Sequence, residues 1–231
     1  MMQFEDIRQY SFPLLGSNMF LTFRDGEAMA IDPHVSAAAL EYLEQQGTKR
    51  VWILLTHEHY DHTSGVTWLT ERFSSSVVCQ RFTAESLRQG KNNRPVILAA
   101  KSIHHSNAGE IKALMRALPQ GYTCEADVVF DEELRMTWRG TEIRLVHTPG
   151  HSPGSCCVEL GGKIVATGDS LIHRTAVITR FPGGSERDFS EKTMPYLKGI
   201  RKGTWILPGH GETFRFSPSD LENSNRKERR P

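Results

Sequence analysis

Residues Val51-Trp52-Ile53-Leu54-Leu55 form an unbroken apolar run in a chain whose overall hydrophobic content is an ordinary 38%. A half-exposed strand alternates apolar and polar positions, so a run without alternation predicts a strand covered on both faces. The next seven residues reverse the character: Thr56-His57-Glu58-His59-Tyr60-Asp61-His62. In an extended segment residues two apart share a side, so His57, His59 and Asp61 can converge while His62 turns the corner. Imidazole and carboxylate at that density, at the end of a buried strand, suit zinc or a similar first-row ion. At this chain's frequencies of His and Asp, those four positions coincide by chance in roughly one sequence in a thousand of this length.

Around this centre the pattern predicts strands at 19–23 and 27–32, joined by Asp25-Gly26, and a helix from the N-cap Ser36 to Gln46 with Gly47 as its stop. Helices follow at 63–73, 83–89 and 109–118, with a strand at 77–79. Short strand-like runs then cover 128–130, 134–138, 142–147, 155–160 and 163–167, before a helix at 189–200 and a strand at 204–207. Strands, helices, more strands and a last helix imply an α/β fold: an αββα four-layer sandwich of two mixed β-sheets flanked by helices. The 231 residues suit one domain over 1–221, followed by a flexible basic tail, ENSNRKERRP, at 222–231.

Lys and Arg number 28 against 27 Asp and Glu, a net charge of +1, so no field calls for nucleic acid or an anionic membrane. No apolar run reaches the roughly 20 residues that span a bilayer, and the acidic, polar start is unlike a secretory leader. Cys79, Cys124, Cys156 and Cys157 lack paired spacing; they read as reduced core thiols, with Cys156 and Cys157 on opposite faces of a strand. The expectation is a cytoplasmic protein whose partner is a small-molecule substrate.

Three more segments place potential ligands at strand ends: His147-Thr148-Pro149-Gly150-His151-Ser152-Pro153-Gly154, Gly168-Asp169-Ser170 and Pro208-Gly209-His210-Gly211. Their glycines permit close approach of backbone to a site. HEHYDH, HTPGHSPG, GDS and PGHG, in this order over residues 17–211, resemble the metallo-β-lactamase superfamily. The resemblance implies that His57, His59 and His151 bind one metal, that Asp61, His62 and His210 bind a second, and that Asp169 bridges them. It also makes Asp32 a residue that steadies the metal loops. Thr179-Arg180-Phe181-Pro182-Gly183-Gly184 and Trp205–Thr213 are most similar to glyoxalase II-like hydrolases, although the chain stops soon after PGHGET, where those enzymes carry a helical domain that grips glutathione. His34 stands where the family usually has glycine, which implies an extra polar group at the pocket rim.

Two divalent ions ~3.5–4 Å apart can hold a bridging hydroxide at neutral pH. The resemblance therefore implies hydrolysis of a small ester, thioester or lactone, with Asp61 and Asp169 as the catalytic carboxylates and two ions, zinc before iron or manganese, as cofactors. No Gly-x-Ser-x-Gly motif suggests a serine nucleophile instead. His173, Arg174 and Arg180 are candidate substrate contacts. His147 reads as a packed strand-end histidine, Tyr60 as a packing residue, and His104 and His105, in an insertion at 92–127, as part of a solvated helix or loop end rather than of a lid. Phosphodiester cleavage, β-lactam hydrolysis and a mononuclear-iron persulfide dioxygenase are the alternatives on the same fold.

Overall fold

The computed structural model describes residues 2–12, 16–94, 116 and 121–224. Its strands fall into two six-stranded mixed sheets. The first runs in the order β1 (Arg8–Ser11), β2 (Asn18–Arg24), β3 (Glu27–Ile31), β4 (Arg50–Leu54), β5 (Ser74–Gln80), β6 (Val128–Phe130). Its first two pairings are antiparallel and the other three parallel. The second holds β7 (Glu133–Trp138), β8 (Thr141–His147), β9 (Cys156–Leu160), β10 (Ile164–Gly168), β11 (Trp205–Pro208) and β12 (Phe214–Arg215). Only β10 and β11 pair in parallel there.

Local chemistry explains the connections. Asp25 and Gly26 both have positive φ, 50° and 80°, the twist that suits a two-residue hairpin between β2 and β3. Ser36 Oγ accepts a hydrogen bond from the Ala39 amide at 3.3 Å and opens helix α1 (Ala37–Gln45). After Gln46 the Gly47 amide bonds to the Glu44 carbonyl and the Thr48 amide to the Leu43 carbonyl, closing the helix end.

β4 shows why its sequence does not alternate. Val51 and Ile53 face outward, into a helix layer with Ala39, Leu43, Leu69 and Leu87. Leu54 and Trp52 face the second sheet, where Phe20, Met29, Ile31 and Val78 meet Ile143, Leu145, Val158, Leu160 and Leu207. Each fully buried Leu or Ile there contributes roughly 1.5–3 kcal/mol. On the far side of the second sheet, Val165 and Ile206 pack under Phe189, Met194 and Leu197. Cys156 belongs to the inter-sheet core and Cys157 to this outer one, on opposite faces of β9, and all four cysteines are free.

The expected helix at 63–73 is instead two short ones, α2 (Tyr60–Thr63) and α3 (Val66–Thr70). The chain turns helical inside the His/Asp motif itself and breaks at Gly65, whose backbone meets that of His34 so closely that a Cβ would lie 2.7 Å from it. The next helix, α4 (Arg81–Leu87), agrees with its expectation to within two residues. The predicted helix at 189–200 starts earlier, with Glu186–Asp188, passes through a wide π turn at Phe189–Thr193 and ends with Met194–Lys198. Residues 222–224 of the expected tail continue a short helix, Asp220–Ser224, and 225–231 lie outside the described residues. The expected helix at 109–118, apart from Arg116, lies outside them too, as do His104 and His105. Among the described residues, no helix is long and apolar enough to cross a membrane.

Candidate metal centre

The motif segments meet at one edge of the sandwich, where β3, β4, β8, β10 and β11 end. Crevices at the carboxyl ends of strands are where α/β folds gather ligands, because loops from several strands converge there. Two groups of donors form. His57, His59 and His151 each offer a ring nitrogen within 4.8 Å of the others, and so do the donor atoms of Asp61, His62 and His210. His59 Nδ1 stands 3.1 Å from His151 Nε2. In the second group, Asp61 Oδ2 is 3.6 Å from His62 Nε2 and 3.4 Å from His210 Nε2.

Asp169 lies between the groups and divides its oxygens. Oδ2 is 3.3 Å from His151 Nε2, whereas Oδ1 is 3.6 Å from both His62 Nε2 and His210 Nε2. His62 Nε2 and Asp169 Oδ1 are buried without a hydrogen-bond partner among the described residues. A separation of 3.6 Å is too long for a hydrogen bond between them and suits two ligands of one ion. The residues therefore fit metal ions by donor chemistry and by spacing.

The second nitrogen of three rings is fixed by a neighbour, which sets the tautomer that leaves Nε2 as donor. His62 Nδ1 donates to Asp32 Oδ2 at 3.0 Å. His57 Nδ1 is 3.0 Å from Thr56 Oγ1, which itself donates to Asp32 Oδ2 at 2.6 Å. His151 Nδ1 donates to the Ile178 carbonyl at 2.8 Å. Burial opposes charge on His62, yet Asp61, Asp169 and Asp32 together outweigh it and raise its pKa to about 9. Burial likewise acts to raise Asp169, and His151, His62 and His210 overcome it and hold the carboxyl below its usual range. The cluster thus balances its charges internally, and binding of an ion there would release protons from the imidazoles.

The sequence pattern of the metallo-β-lactamase superfamily matches residues 13–210. The chain belongs to that superfamily. Among superfamily relatives, a hydroxyacylglutathione hydrolase of Acidiphilium cryptum is 27% identical over 203 residues, which cover 87% of this chain and 68% of the relative. The probable metallo-hydrolase YqgX of Bacillus subtilis is 26% identical over 198 residues, covering 84% and 85%. The BLEG-1 B3 metallo-β-lactamase structure superposes with a TM-score of 0.69 over 90% of this chain and 93% of its own, at 24% identity, a likeness of fold.

Within this superfamily site, His57, His59, Asp61, His62, His151, Asp169 and His210 all converge, and Asp32 stands behind them. His34 does not reach a pocket rim. It is 1% exposed, stacks on Phe12 with ring centroids 4.9 Å apart, and its Nε2 and Nδ1 lie 3.0 and 3.2 Å from the carbonyls of Tyr10 and Val35. His173 leans on Phe214 and pairs with Asp220 at 3.4 Å, while Arg174 and Arg180 are exposed in the same loop. His147 is tied to the Pro153 carbonyl at 2.9 Å, as a packed strand-end histidine should be. Sequence reasoning missed Thr56, Phe181 and Glu58. Phe181 sets its ring edge-on, 6.0 Å from both His59 and His151, and supplies an apolar wall. Glu58 had a readable signal, since alternation places it on the side opposite His57 and His59.

Proposed function

We propose that this chain is a binuclear metal-dependent hydrolase of small esters or thioesters, with lactones as a related class. The observation that carries the reading is the division of Asp169, one oxygen toward the His57, His59 and His151 group and the other toward the Asp61, His62 and His210 group. A carboxylate so placed holds two positive centres side by side. Two divalent ions bound there would acidify a water and polarise the carbonyl under attack.

The chain's own residues do the rest. Asp61 and Asp169 offer carboxylate oxygens on the side where a water must be oriented. The neighbouring imidazoles are locked in one tautomer by Asp32, Thr56 and the Ile178 carbonyl. Phe181 gives the acyl part of a substrate an apolar surface beside His59 and His151. The thioester class is favoured by the name of the Acidiphilium relative. Zinc is the first choice of ion because imidazole and carboxylate are its usual donors.

Elemental analysis of the purified chain, followed by assays with thioester, lactone, phosphodiester and cephalosporin substrates, tests this reading. The expected result is two equivalents of divalent metal and hydrolysis of a thioester or ester. One iron per chain, with oxygen uptake in the presence of a persulfide, would overturn it.

A further inference from the structure

Glu58 sits between two donor histidines but turns its side chain away from them. Only 9% exposed, its Oε2 accepts a hydrogen bond from Ser152 Oγ at 2.9 Å and lies 3.4 Å from Thr83 Oγ1. Thr83 Oγ1 also donates to the Gly154 carbonyl at 3.2 Å, which ties that glycine to the same cluster. Ser152 immediately follows His151, and its hydroxyl is braced in turn by Ser155 Oγ at 2.9 Å. Gly154 is needed where it is, because a Cβ there would lie 2.5 Å from Glu58 Oε2 and 2.2 Å from Thr83 Oγ1. One buried carboxylate thus joins the segment after β4, the β8–β9 loop and α4.

His57 and His59 rise from the first sheet, and His151 from a loop of the second. The apolar core between the sheets attracts without direction, so it sets their separation but not their register to the fraction of an ångström a shared ion demands. Hydrogen bonds to a buried carboxylate are short-ranged and directional, and they supply that register. A carboxyl kept out of water without such bonds would be strongly disfavoured. Here burial pushes the Glu58 pKa upward, and its own amide, Ser152, Thr83 and Gly154 counteract the rise.

We infer that Glu58 is a positioning residue for the three-histidine group, holding His151 in register with His57 and His59 through Ser152. The inference rests on the metal-binding reading above and assigns Glu58 no contact with substrate. It predicts that loss of the carboxylate weakens one metal site and spares the other. Partners behind metal ligands commonly change affinity by about 10–100-fold.

The test is a titration of the metal-free full chain with zinc in competition with a chromophoric chelator, for the wild type, Glu58→Ala, Glu58→Gln, Ser152→Ala and Asp127→Ala. Asp127 accepts a hydrogen bond from the Val77 amide at 2.7 Å in the first sheet and serves as a matched structural lesion. The expected result is two zinc sites in the wild type, with one weakened about 10–100-fold in Glu58→Ala and the other within about threefold. Glu58→Gln, which keeps one oxygen for Ser152, should recover part of the loss, and Asp127→Ala should leave both sites unchanged. If Glu58→Ala fails to fold, Ser152→Ala carries the test, with the same one-sided loss expected. Two sites of wild-type affinity in a folded Glu58→Ala, or equal weakening of both sites in that variant, would overturn the positioning role alone. A wild type that binds no zinc would overturn the metal reading and this role with it.

Discussion

Asp32 accepts a hydrogen bond from His62 at 3.0 Å, although both side chains are almost wholly buried and Asp32 itself is held at φ 52°. A non-glycine residue in the left-handed region is strained by roughly 1 kcal/mol or more and persists where surrounding structure over-determines it. Here the Thr56 amide and hydroxyl both donate to the same carboxylate, at 2.7 and 2.6 Å. Asparagine tolerates this backbone conformation nearly as well as aspartate, so Asp32→Asn isolates the lost acceptor from the backbone strain. Zinc affinity of the Asp61, His62 and His210 group should drop about 10–100-fold, while the circular dichroism spectrum stays unchanged. An unchanged affinity in chelator competition would show that Asp32 does not govern His62.

A second prediction concerns Gly209. Its φ is not in the left-handed region, yet a Cβ there would come within 2.2 Å of Asp169 Oδ1 and 2.9 Å of His62 Cε1. Gly209→Ala should therefore displace Asp169, reduce bound metal at least tenfold and lower the unfolding free energy by about 1–3 kcal/mol. Gly211, two residues on, has φ 81° and open space where a Cβ would project. Gly211→Ala should lower stability by about 1 kcal/mol through backbone strain and leave metal content intact. Equal metal loss in the two variants would refute the steric account.

The contrast between these positions also explains how much the sequence revealed. His57, His59, Asp61 and His62 stood out because imidazoles and carboxylates are rarely so dense at a strand end. His151, Asp169 and His210 stood out only through strand-end placement together with the resemblance to the superfamily. β4 was legible because burial on both faces erases alternation, and the Asp25-Gly26 turn because few residues accept its geometry. β1 was not, since Arg8, Gln9 and Ser11 are exposed on an edge and it exists only through pairing with β2. β12 is two residues long, too short for any period. His34 misled because a polar residue after Pro33 says nothing of Phe12, which comes from a distant segment and covers it. The break at Gly65 was hidden for the same reason: the clash that requires glycine is with the backbone of His34.

The two donor groups can be separated by substitution. His59 belongs to one group, whereas Asp169 faces both. His59→Ala should lose about one equivalent of metal, Asp169→Ala more than that, and both should lower hydrolysis by at least a factor of 100, in keeping with loss of a positioned ion. Elemental analysis beside an initial-rate assay measures both quantities. Full activity in either variant would remove the metal centre from the reaction.

The thiols give a pH dependence that is separate from the metal. Burial raises the pKa of Cys79 and Cys157 to about 12 from the usual 9.0, and pushes Cys156 well above that value. In the unfolded chain the same groups ionise near pH 9, so between pH 9 and 12 the folded state holds protons that the unfolded state has lost. By linkage, stability is complete below pH 9 and falls as pH rises, by roughly 1.4 kcal/mol per pH unit for each such group. Buried Tyr60 and Tyr122, also raised by burial, act in the same direction at higher pH. The cysteine share is therefore read by difference: denaturant unfolding at pH 8 and pH 10 should show a smaller drop for Cys157→Ala than for the wild type. At pH 8 the native protein should resist alkylation at Cys79, Cys156 and Cys157 and react fully once unfolded. Rapid native labelling of these three, or an equal pH drop with and without Cys157, would contradict their burial as neutral thiols.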